Sequence, residues 1–243
     1  LGDPDFVNIP TDSLLSKKYL MNRMNSFSFK KASKSSDILP GTIVWDESEE
    51  TTHYSIVDQM GNAVAVTTTL NGGYGSKVFV EEGGYFLNNE MDDFSSKPGV
   101  PNMFGLLGGK ANAIEPQKRM LSAMTPSIVE RNGKLAMILG TPGGSTIITS
   151  VLQTLLNVYE FKMDIQKAVT APRFHHQWLP DEIVFEPNGF NTSLIEKLQA
   201  KNYKIIQEYS RIIGRVDAIL ISESNQISTG ADPRGDDTAV HLY

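Results

Sequence analysis

The sequence contains no cysteine, and this absence has the widest consequences. Without thiols there is no disulfide framework, no thiol nucleophile and no zinc site built on cysteine. The absence of cysteine does not indicate in which cellular compartment the protein works. The chain also lacks a concentrated block of lysine and arginine, since 28 acidic residues outnumber 22 basic ones and leave a formal net charge of -6. Duplex-binding proteins usually carry a concentrated basic face, so we predict no nucleic-acid partner.

Long hydrophobic runs are missing as well. No apolar stretch approaches the roughly 18 to 20 residues that a membrane-spanning helix requires, so we predict no membrane span. Residues 1–8 lack the basic start and apolar centre of a secretory signal, and they resemble the middle of a longer protein. We therefore expect the chain to be a fragment. Its 243 residues, 40% of them hydrophobic, suffice for one sizeable core or two small ones.

Three hairpins and four helices organise the chain. Runs rich in β-branched residues flank turn signals, of which Asn132-Gly133 is the strongest; the predicted strand pairs are 52–57 with 63–70, 127–130 with 135–139, and 218–221 with 226–228. Apolar periodicity predicts helices over residues 12–21, 147–159, 165–170 and 192–201. The second helix is apolar at most positions, so we expect it to be buried. Pro40-Gly41 predicts a turn. This order of elements favours an α+β domain with antiparallel sheets and helices packed outside.

The segment from Thr51 to Ser55 follows residues 46–50, which are too acidic for a core and predict an exposed loop. Taken alone, these residues are most simply a threonine-rich strand start. The functional alternative is an N-terminal nucleophile, because a threonine hydroxyl attacks only when a base removes its proton. If the peptide bond before Thr51 were cut, the freed α-amino group would have a pKa of about 7.7 to 8.0, which suits that role.

Several unusual motifs, in one order along nearly the whole chain, carry a more specific signal. Residues 51–55, 88–94, 97–102, 141–145, 171–180 and 231–234 resemble the γ-glutamyltransferase family. The resemblance implies a precursor that cuts itself between Glu50 and Thr51. Residues 1–50 would then be the tail of a large subunit, and residues 51–243 a complete small, catalytic subunit. It also implies the four-layer αββα sandwich of N-terminal nucleophile hydrolases, part of it supplied by a missing segment of the large subunit.

The resemblance also assigns catalytic roles. Thr51 attacks the γ-carbonyl of glutathione or another γ-glutamyl compound, and the resulting ester passes to water, an amino acid or a dipeptide. Thr69 is similar to the threonine whose hydroxyl orients the nucleophile. Gly143 and Gly144 suit an oxyanion hole, because glycines let backbone N–H groups approach a developing charge. Without the family motif, Thr69 would be an ordinary strand residue and the two glycines an ordinary turn.

Substrate-binding roles follow in the same way. Asn71, Glu90 and Asp93 resemble the ligands of the substrate α-amino group, since carboxylate and amide oxygens are sensible partners for an ammonium ion. Ser122 resembles one of two adjacent serines that bind the α-carboxylate. The second is Ala123 here, which removes one hydrogen-bond donor. Binding of the α-carboxylate would then depend more on Ser122 and on an arginine of the large subunit outside this chain. Phe104 stands where many bacterial relatives carry a tyrosine on a lid, and it cannot donate a hydroxyl bond.

The remaining polar motifs have structural interpretations. Neighbouring residues on a strand point to opposite faces, so we do not expect His175 and His176 to share a metal ion. We interpret His53 as structural, and Asp232 with Arg234 as a structural ion pair or as residues that hold a loop. We predict no metal and no cofactor.

Two alternatives stay open at this stage. The first is a related enzyme of the same fold that acts on poly-γ-glutamate or on a glutaryl side chain. The second is an inactive, unprocessed or truncated piece that only associates with its missing half. The resemblance implies a periplasmic or secreted location, with any export signal preceding Leu1.

Overall fold

The computed structural model describes residues 1–38, 51–100, 102–103, 106, 108–207 and 212–240. The predicted turn at Pro40-Gly41, the acidic loop before Thr51 and the lid residue Phe104 lie outside these ranges.

The first predicted hairpin is confirmed as strands β1 (Thr51–Val57) and β2 (Ala63–Thr69). The strands pair antiparallel, and the register places Thr51 opposite Thr69. β-branched side chains favour this pleated geometry. The connection is held by Asp58, whose carboxylate accepts hydrogen bonds from the backbone N–H groups of Met60 and Asn62 at 2.9 and 2.8 Å. The hairpin therefore brings two threonines, 18 residues apart, to one end of the sheet.

The other two predicted hairpins are also confirmed, and together they form a four-stranded antiparallel sheet. Its strands are β5 (Ser127–Arg131), β6 (Lys134–Gly140), β10 (Asp217–Ile221) and β11 (Ile227–Gly230), in the order β11-β10-β6-β5. Asn132 and Gly133 take positive φ angles of 55° and 72°, as the mirror-image turns of tight hairpins require.

Two helices cover one face of this sheet, α3 (Thr146–Tyr159) and α4 (Ile165–Thr170). The core between them contains Met137, Leu139, Val151, Val169 and Val216, all buried. The β1–β2 hairpin packs on the opposite face of the sheet. Within the described ranges the order of layers is thus helix, sheet, sheet, which matches the predicted α+β architecture.

Smaller elements complete the fold. β3 (Phe79–Val80) pairs with β4 (Tyr85–Phe86), and a mixed sheet contains β7 (Phe174–His175), β8 (Ile183–Phe185) and β9 (Ile205–Ile206). Helix α5 (Thr192–Gln199) precedes β9.

The helix predicted over residues 12–21 is wrong in one respect, because two helices occupy this region. They are α1 (Thr11–Leu15) and α2 (Lys17–Arg23), and Ser16 between them has extended backbone angles. The Ser16 side chain accepts a hydrogen bond from the Tyr19 N–H at 3.2 Å, so it acts as the N-cap of α2. A serine that caps the second helix cannot lie inside one continuous helix.

The expectation that residues 147–159 are buried is also wrong in part. Ile147 and Val151 face the core, whereas Ile148 and Leu152 are 54% and 53% exposed. An apolar stripe that continues round a helix indicates a second packing surface, and in this chain that second face is open.

A buried ionic network ties the end of the chain to the sheet. The predicted Asp232–Arg234 pair is confirmed at 2.9 Å, and it is extended by Arg173–Asp232 and Arg234–Glu186 contacts of 2.7 Å each. Arg173 also donates to the backbone carbonyls of Ile213 and Val169. Every charge in the network therefore has an opposite partner, which buried charges require.

Candidate active site

Thr51 and Thr69 meet at the end of the β1–β2 hairpin. The Thr51 hydroxyl donates a hydrogen bond to the Thr69 Oγ1 at 3.1 Å. Thr69 Oγ1 also accepts from the Asn71 N–H at 2.9 Å, so its position is determined by the backbone that follows β2. The first residue of β1 and the last residue of β2 are thus in direct hydroxyl contact. Their roles as nucleophile and orienting threonine stay predictions.

His53 lies on the same strand and is buried between the two sheets, where its ring packs against Gly140. Its ring nitrogens contact the hydroxyls of Thr67 at 2.8 Å and Ser55 at 3.0 Å. Burial lowers the pKa of His53 to about 4, so the ring is neutral near pH 7. These contacts agree with the structural interpretation of His53.

Gly143 and Gly144 form the turn between β6 and α3. Their φ angles are 131° and 52°, in the region that favours glycine. A Cβ on Gly143 would stand 2.6 Å from the Thr146 hydroxyl oxygen and 3.2 Å from the Cα of Gly214. Within the described residues, neither glycine N–H donates a hydrogen bond. The turn therefore has two backbone N–H groups without a hydrogen-bond partner among the described residues, and an oxyanion site needs donors of this kind.

Asn71 follows the hairpin with a φ angle of 75° and is buried. Its side-chain amide donates to the backbone carbonyl of Asn89 at 3.3 Å, and the Gly72 N–H donates to the Asn89 side chain at 2.8 Å. These bonds join the segment after β2 to the loop that carries Glu90 and Asp93.

Glu90 and Asp93 lie in one 3-10 helix, Glu90–Asp93. Burial, with the neighbouring charges of Glu90 and Asp92, raises the pKa of Asp93 to about 6. Burial also raises the pKa of Glu90. No Lys or Arg of the described ranges forms an ion pair with either carboxylate. A half-buried acid with a raised pKa and no cation is a candidate binding group for a positively charged ligand.

Ser122 lies on an extended segment before β5, and its hydroxyl oxygen accepts from the Met124 N–H at 3.1 Å. The hydroxyl proton remains for an acceptor such as a carboxylate. Ala123 follows it, and both residues line the same cavity as Thr51.

One cavity of about 380 Å³ unites most of these groups, and this volume suits a small molecule. Its wall includes six of the eight predicted site residues, namely Thr51, Thr69, Asn71, Asp93, Ser122 and Gly144. Gly143 and Glu90 are not part of the wall. Gly143 lies one residue behind it, and Glu90 is near enough to influence the charge of Asp93.

A family model for gamma-glutamyltranspeptidase matches residues 1–242. The chain belongs to the gamma-glutamyltranspeptidase family. It is 46% identical over 243 residues to the glutathione hydrolase proenzyme of Escherichia coli K12, an alignment that covers 100% of this chain and 41% of that protein. The chain thus spans about two-fifths of the length of such relatives.

Two solved structures extend the comparison. The gamma-glutamyltranspeptidase of Pseudomonas nitroreducens complexed with L-DON is 48% identical with a TM-score of 0.74, and the match covers 79% of this chain and 100% of that one. A cephalosporin acylase of Bacillus halodurans has a TM-score of 0.81 at 23% identity, covering 98% of this chain and 40% of that one. At this identity the acylase bears on the fold alone. Together they confirm the predicted α+β fold of the N-terminal nucleophile hydrolase type.

This member of the gamma-glutamyltranspeptidase family also has a polar network near the cavity, built around His175, for which the sequence favours a structural role. Ser145, next to Gly144, donates to the Gln177 side chain at 2.6 Å, and Gln177 contacts the buried ring of His175 at 2.9 Å. Thr149 contacts the other nitrogen of that ring at 2.8 Å. His175 therefore braces the start of α3 through Gln177 and Thr149, and the sequence alone does not specify these partners.

Asn112 was missed entirely. It is buried, lines the cavity and contacts the segments of both Asp93 and Ser122. A single asparagine in an irregular segment carries no sequence signal of its own.

The described part of the chain contains no cluster of three metal-ligating side chains. Its helices all lack the length and apolar character needed to cross a bilayer. His175 is buried whereas its neighbour His176 is exposed, so the two rings do not face one site.

Proposed function

We propose that the chain is the catalytic part of an enzyme that hydrolyses and transfers γ-glutamyl groups, with Thr51 as its nucleophile. The observation that carries this proposal is the Thr51–Thr69 hydroxyl contact, which lies on the wall of a cavity that also contains the uncompensated carboxylate of Asp93. The relatives are a glutathione hydrolase and a gamma-glutamyltranspeptidase, which supports glutathione and other γ-glutamyl compounds as donors.

Before any turnover, the peptide bond between Glu50 and Thr51 is hydrolysed once by water, which leaves a carboxylate on Glu50 and a free α-amino group on Thr51. The freed α-amino group then takes the proton of the Thr51 hydroxyl as its oxygen attacks the γ-carbonyl carbon. Negative charge develops on the carbonyl oxygen, which the free N–H groups of Gly143 and Gly144 stabilise. Such a donor typically contributes about 2.7–4 kcal/mol to lowering the barrier. The amine leaves with a proton, and the ester on Thr51 passes to water, an amino acid or a dipeptide.

The donor is held by both of its α-groups. Its ammonium lies against Asp93, with Glu90 and Asn71 alongside, and supplies the positive charge that this cluster lacks. Its carboxylate accepts from Ser122, and an arginine outside the chain assists because Ala123 offers no hydroxyl. A site with partners for both groups strongly rejects acyl chains that lack one of them.

The remainder of the large subunit is the proposed partner. Residues 1–50 belong to its tail, and residues 51–243 form the small subunit. Two non-covalent contacts between these parts support this proposal, because they do not depend on the bond between Glu50 and Thr51. They are the Asp3–Arg119 ion pair at 2.6 Å and the Ser35–Asp181 hydrogen bond at 2.7 Å.

Open apolar faces provide the surface for that partner. Tyr54 and Ile56 on the outer side of β1, and Ile148 and Leu152 on the outer side of α3, are each about half exposed. Helices that cover the hairpin would supply the fourth layer of the αββα sandwich, and the open side of α3 offers a second contact surface. A periplasmic or secreted location, implied by the resemblance, stays a prediction.

The test uses the full-length protein that contains this chain. We expect Thr51→Ala to give a single unprocessed mass and no turnover of γ-glutamyl-p-nitroanilide. Thr52→Ala is the matched control, because Thr52 lies on the exposed side of the same strand and should leave both readouts nearly unchanged. Processed and active Thr51→Ala enzyme would contradict the proposal, and an unprocessed, inactive parent protein would favour the inert-fragment alternative. Faster turnover of glutaryl-p-nitroanilide than of the γ-glutamyl compound would favour the related acylase.

A further inference from the structure

Asn112 is a buried side chain that joins the two proposed halves of the substrate site. Its amide nitrogen donates to the backbone carbonyl of Asp93 at 2.7 Å. Its amide oxygen accepts from the backbone N–H of Leu121, the residue before Ser122, at 3.0 Å. One side chain therefore spans from the residue proposed for the α-amino group to the neighbour of the residue proposed for the α-carboxylate.

The orientation of this amide follows from chemistry. The carbonyl of Asp93 can only accept, and the N–H of Leu121 can only donate, so rotating the amide by 180° would lose both bonds. Both bonds are within the normal range of N–H···O distances. Asn112 thus meets the two segments with one donor and one acceptor, and no hydrophobic residue or carboxylate replaces both.

The backbone around Asn112 is also held firmly. Its carbonyl accepts from the Ser95 N–H at 2.8 Å, two residues after Asp93. On the other side, a Cβ on Gly2 would stand 2.2 Å from the carbonyl oxygen of Ala111, which shows how closely residues near the start of the chain pack here. Arg119, two residues before Leu121, is paired with Asp3 at 2.6 Å. Asn112 is therefore anchored to its surroundings and cannot adjust freely with either segment.

We propose that Asn112 is a positioning residue that sets the spacing between the ammonium site at Asp93 and the carboxylate site at Ser122. In an α-amino acid these two groups are attached to the same carbon, so only one spacing lets both bind while the γ-carbonyl reaches Thr51. Asn112 in this way determines selectivity for donors that carry both groups. This inference rests on the proposed function.

The test compares three p-nitroanilides with the full-length, processed enzyme. The γ-glutamyl substrate uses both sites, the glutaryl substrate lacks the amino group, and the 4-aminobutyryl substrate lacks the carboxylate. For Asn112→Ala we expect kcat/KM to fall about 100-fold on the γ-glutamyl substrate, the scale of a misplacement of about 1 Å, mostly through KM. On the two single-group substrates we expect less than about a threefold change, because neither depends on the spacing.

Asn157→Ala is the matched control. Asn157 is a partly buried asparagine, and its amide donates to the carbonyl of Ala168 at 3.2 Å on α4, among residues that do not line the cavity. It should affect all three substrates equally. Asn112→Asp provides a second variant, because it keeps the volume and the acceptor for Leu121 but loses the donor to Asp93.

The outcomes separate the two proposals. If the parent enzyme shows no preference for the γ-glutamyl substrate, the proposed function fails. If the parent shows that preference and Asn112→Ala reduces all three activities alike, the inference about Asn112 alone is overturned. It is also overturned if neither Asn112 variant yields processed enzyme while Asn157→Ala does, since the role is then in folding.

Discussion

The molecule contains two groups of acidic side chains, which differ in whether basic side chains of the same chain neutralise them. In the network around Arg173, the carboxylates of Asp232 and Glu186 meet guanidinium groups of the same chain at 2.7 Å. In the 3-10 helix at the cavity, Glu90 and Asp93 meet no such partner among the described residues.

The difference separates structure from binding. Paired charges in the interior hold segments together, and their burial is tolerated because each is neutralised. A carboxylate that folding leaves half-buried and without a cation is poorly stabilised, and a ligand with a positive charge improves its environment. The first group therefore belongs to the fold, and the second to the proposed substrate site.

The largest effect should come from breaking the paired group. Arg173→Met removes one of the two guanidinium partners of Asp232, and it removes the donor to the carbonyls of Ile213 and Val169. We expect the free energy of unfolding to fall by about 3–5 kcal/mol. Arg131→Met is the control, because the Arg131–Glu223 bridge of 3.2 Å is exposed on both sides and such bridges contribute about 0–1 kcal/mol. Denaturant unfolding measures both. If Arg173→Met lowered the free energy of unfolding by less than about 1 kcal/mol, the network would not be a main source of stability.

Removing a charge from the unpaired group should instead change binding. For Asp93→Asn, losing the partner of a buried ammonium costs about 2–5 kcal/mol of binding, and 2 kcal/mol already corresponds to a rise in KM of roughly 30-fold. The free energy of unfolding should not fall, because no cation of the fold loses its partner. Glu81→Gln, an exposed acid on the β3–β4 turn, is the control for charge alone. An unchanged KM with reduced stability would place Asp93 in the structural group.

A pH profile sharpens the same comparison. The pKa of Asp93 is raised to about 6, so below this pH the free enzyme loses the carboxylate that binds the ammonium. We expect log kcat/KM to fall with a slope of one below the pKa of the Thr51 amine, about 7.7–8.0, and with a slope of two below about pH 6. In Asp93→Asn the second break should disappear. A break near 6 that persists in this variant would belong to another group.

The sequence was sufficient for the parts of the protein that depend on neighbouring residues. The hairpin at Asn132-Gly133 follows from local turn chemistry, and six short motifs in one order along the chain identified the family. Only part of the ionic network could be predicted from the sequence, because Arg173 and Glu186 are brought to Asp232 by long-range packing. The pair of Asp232 and Arg234, only two residues apart, was the part that could be expected.

Other features depend on tertiary contacts or on a surface that the chain leaves open. Asn112 acts through two backbone groups, and any residue offers such groups, so no pattern marks the residue that reaches them. The exposed face of α3 was misjudged because an apolar stripe looks alike whether its partner is this chain or another. Ser16 divides a helix through a cap that is visible only when its hydrogen bond is seen.

Asp217 provides the smallest and most discriminating test, because it is a poorly compensated acid that does not line the cavity. Burial and the nearby charges of Asp237 and Asp232 raise its pKa to about 7. Its neighbour Asp237 also has a raised pKa, mainly from burial, and Asp236 adds negative charge there while Arg215 partly compensates it.

Because the folded-state pKa of Asp217 exceeds the ordinary value of 3.8, folding favours the protonated form and stability is lost as pH rises from about 4 to 7. Asp217→Asn removes that loss. We expect its stability gain to grow across this range and to reach about 1 kcal/mol above pH 7, the scale of a single stabilising change. Asp236→Asn, an exposed neighbour, is the control. The KM of Asp217→Asn should equal that of the parent enzyme, because a raised pKa indicates a ligand site only where the carboxylate also faces the cavity. If this KM rose as it does for Asp93→Asn, the absence of a basic partner would not distinguish acids that bind substrate from acids that belong to the fold.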